Sequence, residues 1–188
     1  GTLNLIGKGS SGICNNTNIG TTIINNGTLK INTEIREEYA NRPLVNNGTL
    51  DLLGGSIHSD YGTVVENNGI FNLENGYIEP GNGGYFKSRY YIVENTAEFN
   101  MLGGYIRSFC YKSGIRNGKD ATFTMKAGTI YADEYGIYND SDNEMNLLGG
   151  FIARRYSYAS TSYAIYNNTN ANIKIEGLTI NDKYNNIK

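Results

Sequence analysis

The sequence predicts an all-β fold: a right-handed single-stranded parallel β-helix (β-solenoid) of about eight coils with three short strands per coil. Three observations predict it. An apolar-polar-apolar triplet begins at Leu3, Leu29, Leu50, Phe71, Phe99, Phe123, Met145 and Ile173, at intervals of 26, 21, 21, 28, 24, 22 and 28 residues. A glycine-bearing corner follows most of the triplets. Each interval also carries an apolar residue two positions before an Asn. A recurring unit with variable insertions belongs to a repeat architecture, in which each unit buries its apolar face against its neighbours.

The triplet is the first strip. Its apolar partners, Leu5, Ile31, Leu52, Leu73, Met101, Met125, Leu147 and Ile175, stand two residues on, the period of a strand with one buried face. The residues between, among them Lys30, Asp51, Asn72 and Asn100, are polar, as an outward column requires. Next comes the corner: Gly54-Gly55, Asn75-Gly76, Gly103-Gly104, Ala127-Gly128 and Gly149-Gly150. Glycine adopts positive φ cheaply and lets the chain turn sharply. Ile57, Ile78, Ile106, Ile130 and Ile152 then open a second buried strip.

The third strip is marked by Ile23, Leu44, Val65, Val93, Ile115, Ile137 and Ile165, followed by Asn25, Asn46, Asn67, Asn95, Asn117, Asn139 and Asn167. A buried amide is costly unless paired, and stacked Asn side chains can pair with one another up and down a column. Right-handed winding is expected from the usual hand of parallel crossovers. Eight coils at about 4.8 Å each make a rod roughly 38 Å long. Leucine-rich repeats share the Leu-x-Leu spacing, but the return leg here is rich in Gly, Tyr and Asn and has no helical period.

Two coils depart from the pattern. In coil one, both Ile13-Cys14-Asn15 and Ile23-Ile24-Asn25 resemble the third strip; the second is preferred as the element that closes the coil. In coil two, Ile35 arrives one residue early with no Gly pair before it, and Glu34, Arg36, Glu37 and Glu38 read as a solvated corner, with a helical turn as the alternative.

Residues 1–188 form one solenoid domain by this reading. The chain starts on Gly1 in mid-repeat and ends on a segment like the approach to another coil, so a piece of a longer repeat protein is expected. The end rungs would offer unpaired backbone, so end-to-end self-association is expected. Cys14 and Cys110 fall four rungs apart, roughly 19 Å at about 4.8 Å per rung, against the ~7 Å limit of a disulfide. Two unbridged thiols follow. With a single His and no Cys pair there is no metal-site spacing, and neither metal nor cofactor is expected. Net charge is −2 with 18% charged residues, so the chain lacks the electrostatic footprint of a nucleic-acid binder. No apolar run approaches a membrane span.

Insertions between the second and third strips point to function. Coil four carries Tyr85, Phe86, Arg89 and Tyr90, coil five Tyr111, and coil seven Arg154, Arg155, Tyr156 and Tyr158. All would leave the rod along one edge, and Tyr, Ser, Gly and Arg are the composition of adaptable contact surfaces. A second candidate is the column after the Gly corner, Ser56, Tyr77, Tyr105, Thr129 and Phe151, where stacked rings could dock a sugar or simply brace the rod. A third column, Glu66, Glu94, Arg116, Tyr138 and Tyr166, reads as a plain outward face. Catalysis has weaker support. Hydrolases need two carboxylates facing each other across a bond. Asp51 stands alone in its column, and Asp133, Glu134, Asp140, Asp142 and Glu144 sit at corners without a matching Arg column.

Units such as Asn46-Asn47-Gly48-Thr49-Leu50-Asp51-Leu52-Leu53-Gly54-Gly55-Ser56-Ile57 resemble the right-handed β-helix repeats of large surface proteins of Gram-positive bacteria, the pectate-lyase-like adhesins. The resemblance covers nearly the whole chain, most faintly in coils one and two. It implies a secreted or wall-anchored, non-catalytic adhesion or binding module whose partner is a host surface protein or a glycan. The alternatives are a structural stalk and, since lyases and hydrolases share the fold, a polysaccharide-active enzyme.

Overall fold

The computed structural model describes all residues except 8–11, 16–20, 38–41, 61, 82–87, 109–110, 155–161 and 182–186, together with the backbone but not the side chains of 15, 88–90 and 111–112. Among the described residues every element is a strand, and every pairing between strands is parallel. The chain winds as a β-solenoid with three walls.

The first wall stacks Thr2–Ile6, the front halves of Thr28–Glu37 and Thr49–Ser59, then Ile70–Leu73, Glu98–Met101, Thr122–Met125, Met145–Leu147 and Ile173–Ile175. The second stacks Gly12–Asn15, the back halves of the same two long strands, then Tyr77–Pro80, Tyr105–Ser108, Thr129–Ala132, Gly150–Arg154 and Leu178–Asn181. The third stacks Thr21–Asn25, Arg42–Asn46, Val65–Asn67, Ser88–Asn95, Tyr111–Asn117, Tyr135–Asn139 and Tyr163–Asn167, and Ile187 adds a single bridge to Ile165. Hydrogen bonding joins the walls into two sheets rather than three, of 14 and 7 strands, because Thr28–Glu37 and Thr49–Ser59 run through the first corner unbroken. Slightly fewer coils close than the eight expected: the 7-stranded third wall limits the closed circuits among the described residues, and the last coil contributes two strips.

The interior consists of columns of like residues. Leu29, Leu50, Phe71, Phe99, Phe123 and Met145 lie in register and buried, and the Phe71 and Phe99 rings stack at 4.7 Å and 4°. Ile35, Ile57, Ile78, Ile106, Ile130 and Ile152 form the second column, all fully buried. Leu44, Val65, Val93, Ile115, Ile137 and Ile165 form the third. Period-2 alternation places the first-wall column inside and its neighbours outside; in the third wall the residue before the column is buried as well, as at Val64, Ile92 and Ala164. At the first corner the second Gly of each pair takes positive φ, from 72° at Gly104 to 100° at Gly76. A Cβ on Gly76 would lie 2.8 Å from the Gly55 carbonyl oxygen, so close stacking as well as backbone freedom selects glycine there.

The asparagines after the third strip form one continuous ladder. Asn25 Nδ2 donates to Asn46 Oδ1 at 2.7 Å, and the pattern repeats through Asn67, Asn95, Asn117 and Asn139 to Asn167. Asn46, Asn67, Asn95 and Asn139 also tie their own turns. Asn67 Nδ2, for example, donates to the carbonyl of Gly69, and Asn67 Oδ1 accepts from the Gly69 N–H. A second ladder, not foreseen from the sequence, runs along the outside with the opposite polarity. Asn47 donates to Asn26 at 2.9 Å, Asn68 to Asn47 at 3.1 Å, and the Thr96 hydroxyl to Asn68 at 2.7 Å.

The two irregular coils resolve. Ile23-Ile24-Asn25 closes coil one, in register with Leu44-Val45-Asn46, while Ile13 lies in the second wall opposite Ile35. The early Ile35 is accommodated by a register shift between Ile31 and Asn32. Glu34, Arg36 and Glu37 are not a solvated corner or a helical turn; they belong to a strand that alternates out and in, and Glu38 lies outside the described residues. Glu37 is fully buried at an inward position, where its carboxylate accepts from the Thr22 hydroxyl. Cys14 is exposed on the second wall, and Cys110 lies outside the described residues.

Candidate functional site

The outer surfaces of the three walls differ in chemistry. The first wall is a self-paired polar column. Lys30 Nζ lies 3.3 Å from Asp51, Asn72 donates to Asp51 at 2.8 Å, and Asn100 donates to Asn72 at 3.1 Å. Asp51, the one carboxylate in the column, is thus held between a cation and an amide. Among the described residues no three metal-ligating side chains cluster.

The second wall carries two outward columns side by side. One is Glu34, Ser56, Tyr77, Tyr105, Thr129 and Phe151. The rings of Tyr77 and Tyr105 meet at 5.8 Å and 52°, and Tyr77 remains 55% exposed. Thr129 separates Phe151 from this pair, so the three aromatics are not one continuous strip. The adjacent column holds Arg36, His58 and Glu79, with Arg107 on the next rung. His58 faces Glu34 at 3.8 Å and Glu79 at 3.5 Å, and Arg107 reaches Glu79 at 3.3 Å. A depression of about 120 Å³ opens between Glu34, Arg36, His58, Glu79, Pro80 and Gly81. Burial raises the Tyr105 phenol above its ordinary pKa, and the Arg107 charge partly opposes this. Arg154, at the end of the same wall, is half-buried and donates to the Glu134 carbonyl at 3.5 Å, which turns it toward bracing the corner.

The third wall is more structured than the plain outward face expected of it. Glu66, Glu94, Arg116, Tyr138 and Tyr166 are in register, and they bond along the rod. Arg116 donates to Glu94 at 2.7 Å and to Asp140 at 3.0 Å and lies 5.6 Å from the Tyr91 ring centre. Asp140 therefore has an arginine partner after all; the pairing crosses a rung and is invisible in local spacing. Burial opposes the Arg116 charge, but the hydrogen bonds to Asp140 and Glu94 outweigh it and its pKa is raised. Tyr138 and Tyr166 stack at 5.1 Å and 15°, Tyr135 packs on both, and Lys188 lies 5.0 Å from the Tyr166 ring centre. Burial pushes the Tyr135 phenol up to about 12. Spacing places Tyr138 and Tyr166 in the outward column, but the packing of Tyr91 on Tyr138 and of Tyr135 on Tyr166 joins different coils and does not show in it.

The insertions join these two walls. Tyr85, Phe86, Arg155, Tyr156 and Tyr158 lie outside the described residues. Arg89, Tyr90 and Tyr111 are placed in third-wall strands by their backbones, their side chains lying outside the described set. Comparison with protein-family models, with curated proteins and with solved structures finds no match. The resemblance to surface adhesins thus rests on the repeat units, and the fold rests on the structure.

Proposed function

We propose that the chain is a non-catalytic binding or adhesion module, secreted or held at a bacterial cell wall, that presents one edge of the solenoid to a host surface protein or a glycan. The observation that carries this reading is the concentration of aromatic and arginine side chains along the edge joining the second and third walls. The strands there hold Arg107, Tyr131 and Arg154 on one side and Tyr163, with Tyr91 partway along Ser88–Asn95, on the other. The Tyr- and Arg-rich insertions connect those strand ends. A composition rich in Tyr, Ser, Gly and Arg suits contact at low entropic cost. Replacing Tyr85, Arg89, Tyr156 and Tyr158 together by Ala should abolish adhesion to the target surface while leaving the circular-dichroism spectrum intact. Undiminished adhesion would refute the edge as the contact.

A structural stalk is the second reading, favoured by the third wall, where Arg116, Tyr138 and Tyr166 are engaged with one another or with rungs above and below. Blank results from a glycan array and a host-protein screen would decide for the stalk. Unsaturated or reducing-end products on incubation with plant and bacterial polysaccharides would replace both readings by an enzyme. The end rungs, where Leu3 is 56% and Ile175 41% exposed, are the surfaces on which copies would stack. A concentration-dependent mass by light scattering would report it.

A further inference from the structure

We propose that the second wall, from Glu34 to Tyr105, binds a linear uncharged glycan running parallel to the rod axis. This deepens the binding reading by naming a ligand for one surface. Tyr77 is the large aromatic left exposed among the described residues, and the 52° tilt of Tyr105 behind it makes a stepped platform of two rings on neighbouring rungs. Such rings present flat apolar area with a polar rim, the usual partner for the C–H face of a sugar.

Beside the platform, two residues further along each strand, lies the depression of about 120 Å³ lined by Glu34, Arg36, His58, Glu79, Pro80 and Gly81. That is room for about four waters at their liquid volume, the scale of a hydroxymethyl group and a ring edge. Its lining sets Glu34 and Glu79 against Arg36, with His58 between the two carboxylates at 3.8 and 3.5 Å, and Arg107, outside the lining, pairs with Glu79 from the next rung. A polyanion would meet two carboxylates, and the guanidinium of Arg107 is already engaged by Glu79 at 3.3 Å. A neutral polyol donates to carboxylates and accepts from guanidinium and imidazole without bringing a charge to be desolvated.

The direction follows from the repeat. Equivalent side chains recur at about 4.8 Å along the axis, close to the advance of one sugar in an extended chain. Across the wall, Tyr77–Pro80 and Tyr105–Ser108 are only 4 residues long and end at corners. An axial polymer therefore meets an aromatic or a hydrogen-bonding group on every rung, and a transverse one runs out of wall.

The test is affinity electrophoresis and calorimetry of the whole chain with soluble mixed-linkage β-glucan and galactomannan, against polygalacturonate. Retardation by a neutral polymer, insensitive to salt, is expected. Tyr77→Ala should weaken it about tenfold and Tyr77→Phe much less, the phenol ring being the contact. Tyr77 is exposed, so the variant should fold, and circular dichroism checks this. Retardation by polygalacturonate alone would overturn the neutral ligand while leaving a binding module. Neutral binding that survives Tyr77→Ala combined with Tyr105→Ala would overturn the location. Failure of every polymer to bind would overturn this inference alone, the edge being tested separately by the fourfold alanine variant.

Discussion

Asn67→Ala removes one rung of the inner amide ladder. The wild-type side chain is fully buried and makes five hydrogen bonds: it donates to Asn95 Oδ1 at 2.8 Å, to the Glu98 carbonyl at 2.8 Å and to the Gly69 carbonyl at 3.1 Å, and accepts from Asn46 Nδ2 at 2.7 Å and the Gly69 N–H at 3.3 Å. Some partners are only partly stranded by the change. Asn46 still donates to the Ile70 carbonyl at 2.9 Å, and Asn95 Oδ1 still accepts from the Ala97 N–H at 3.3 Å. Counting about 1 kcal/mol for each of the three shortest bonds, and about 1–2 kcal/mol for the carbonyl and N–H groups left without this partner, gives a loss of about 4 kcal/mol. With a urea dependence of about 2 kcal/mol per molar, the unfolding midpoint should fall by about 2 M. The control is Asn68→Ala, one residue on, which removes contacts of the exposed outer ladder and should cost under about 1 kcal/mol. Urea titration followed by far-ultraviolet circular dichroism measures both. A shift for Asn67→Ala no larger than that for Asn68→Ala would refute the reasoning.

Phe99→Ala should cost about 3–5 kcal/mol, since Phe99 is the middle ring of a buried stack with Phe71 at 4.7 Å and Phe123 at 5.1 Å; the same urea titration checks it. Gly76→Ala combines positive φ with a close carbonyl contact and should destabilise by about 1–3 kcal/mol, whereas Ala127, at the first position of its corner, should accept Gly with a change under about 1 kcal/mol. Burial, aided by Glu134 and then Tyr166, keeps the Tyr135 phenol protonated to about 12. In the unfolded chain it ionises near 10, so its contribution to stability is complete below pH 10 and is lost as pH rises from 10 to about 12. Phenolate absorbance should show a late-titrating tyrosine in the folded protein that Tyr135→Phe removes.

The columns were legible because each is written in local spacing: an apolar residue, its partner two on, a glycine corner, an apolar residue two before an Asn. Leu50, Ile57, Val65 and Asn67 could all be placed before any coordinates. What failed was information held between rungs. Ile13 and Ile23 look alike along the chain, and only the partners Ile35 and Leu44 tell their walls apart. The strand through Glu37 looked like a charged corner because Thr22, which hydrogen-bonds its carboxylate, is 15 residues back. The Arg116 bridge from Glu94 to Asp140 is likewise spread over three coils. For the candidate surfaces, spacing found Tyr77 and Tyr105, whose column follows the glycine corner. It missed His58, Glu79 and Arg107, whose meeting depends on rung-to-rung register.

Register is the most direct test of the solenoid itself. In a background with Cys14→Ser and Cys110→Ser, the pair Asn100→Cys and Thr124→Cys lies on adjacent rungs, about 4.8 Å apart, and should close a disulfide under mild oxidation. The pair Asn72→Cys and Thr124→Cys is two rungs apart, about 10 Å, and should stay reduced. Cross-linking of the second pair, or of neither, would contradict the stacked in-register coil.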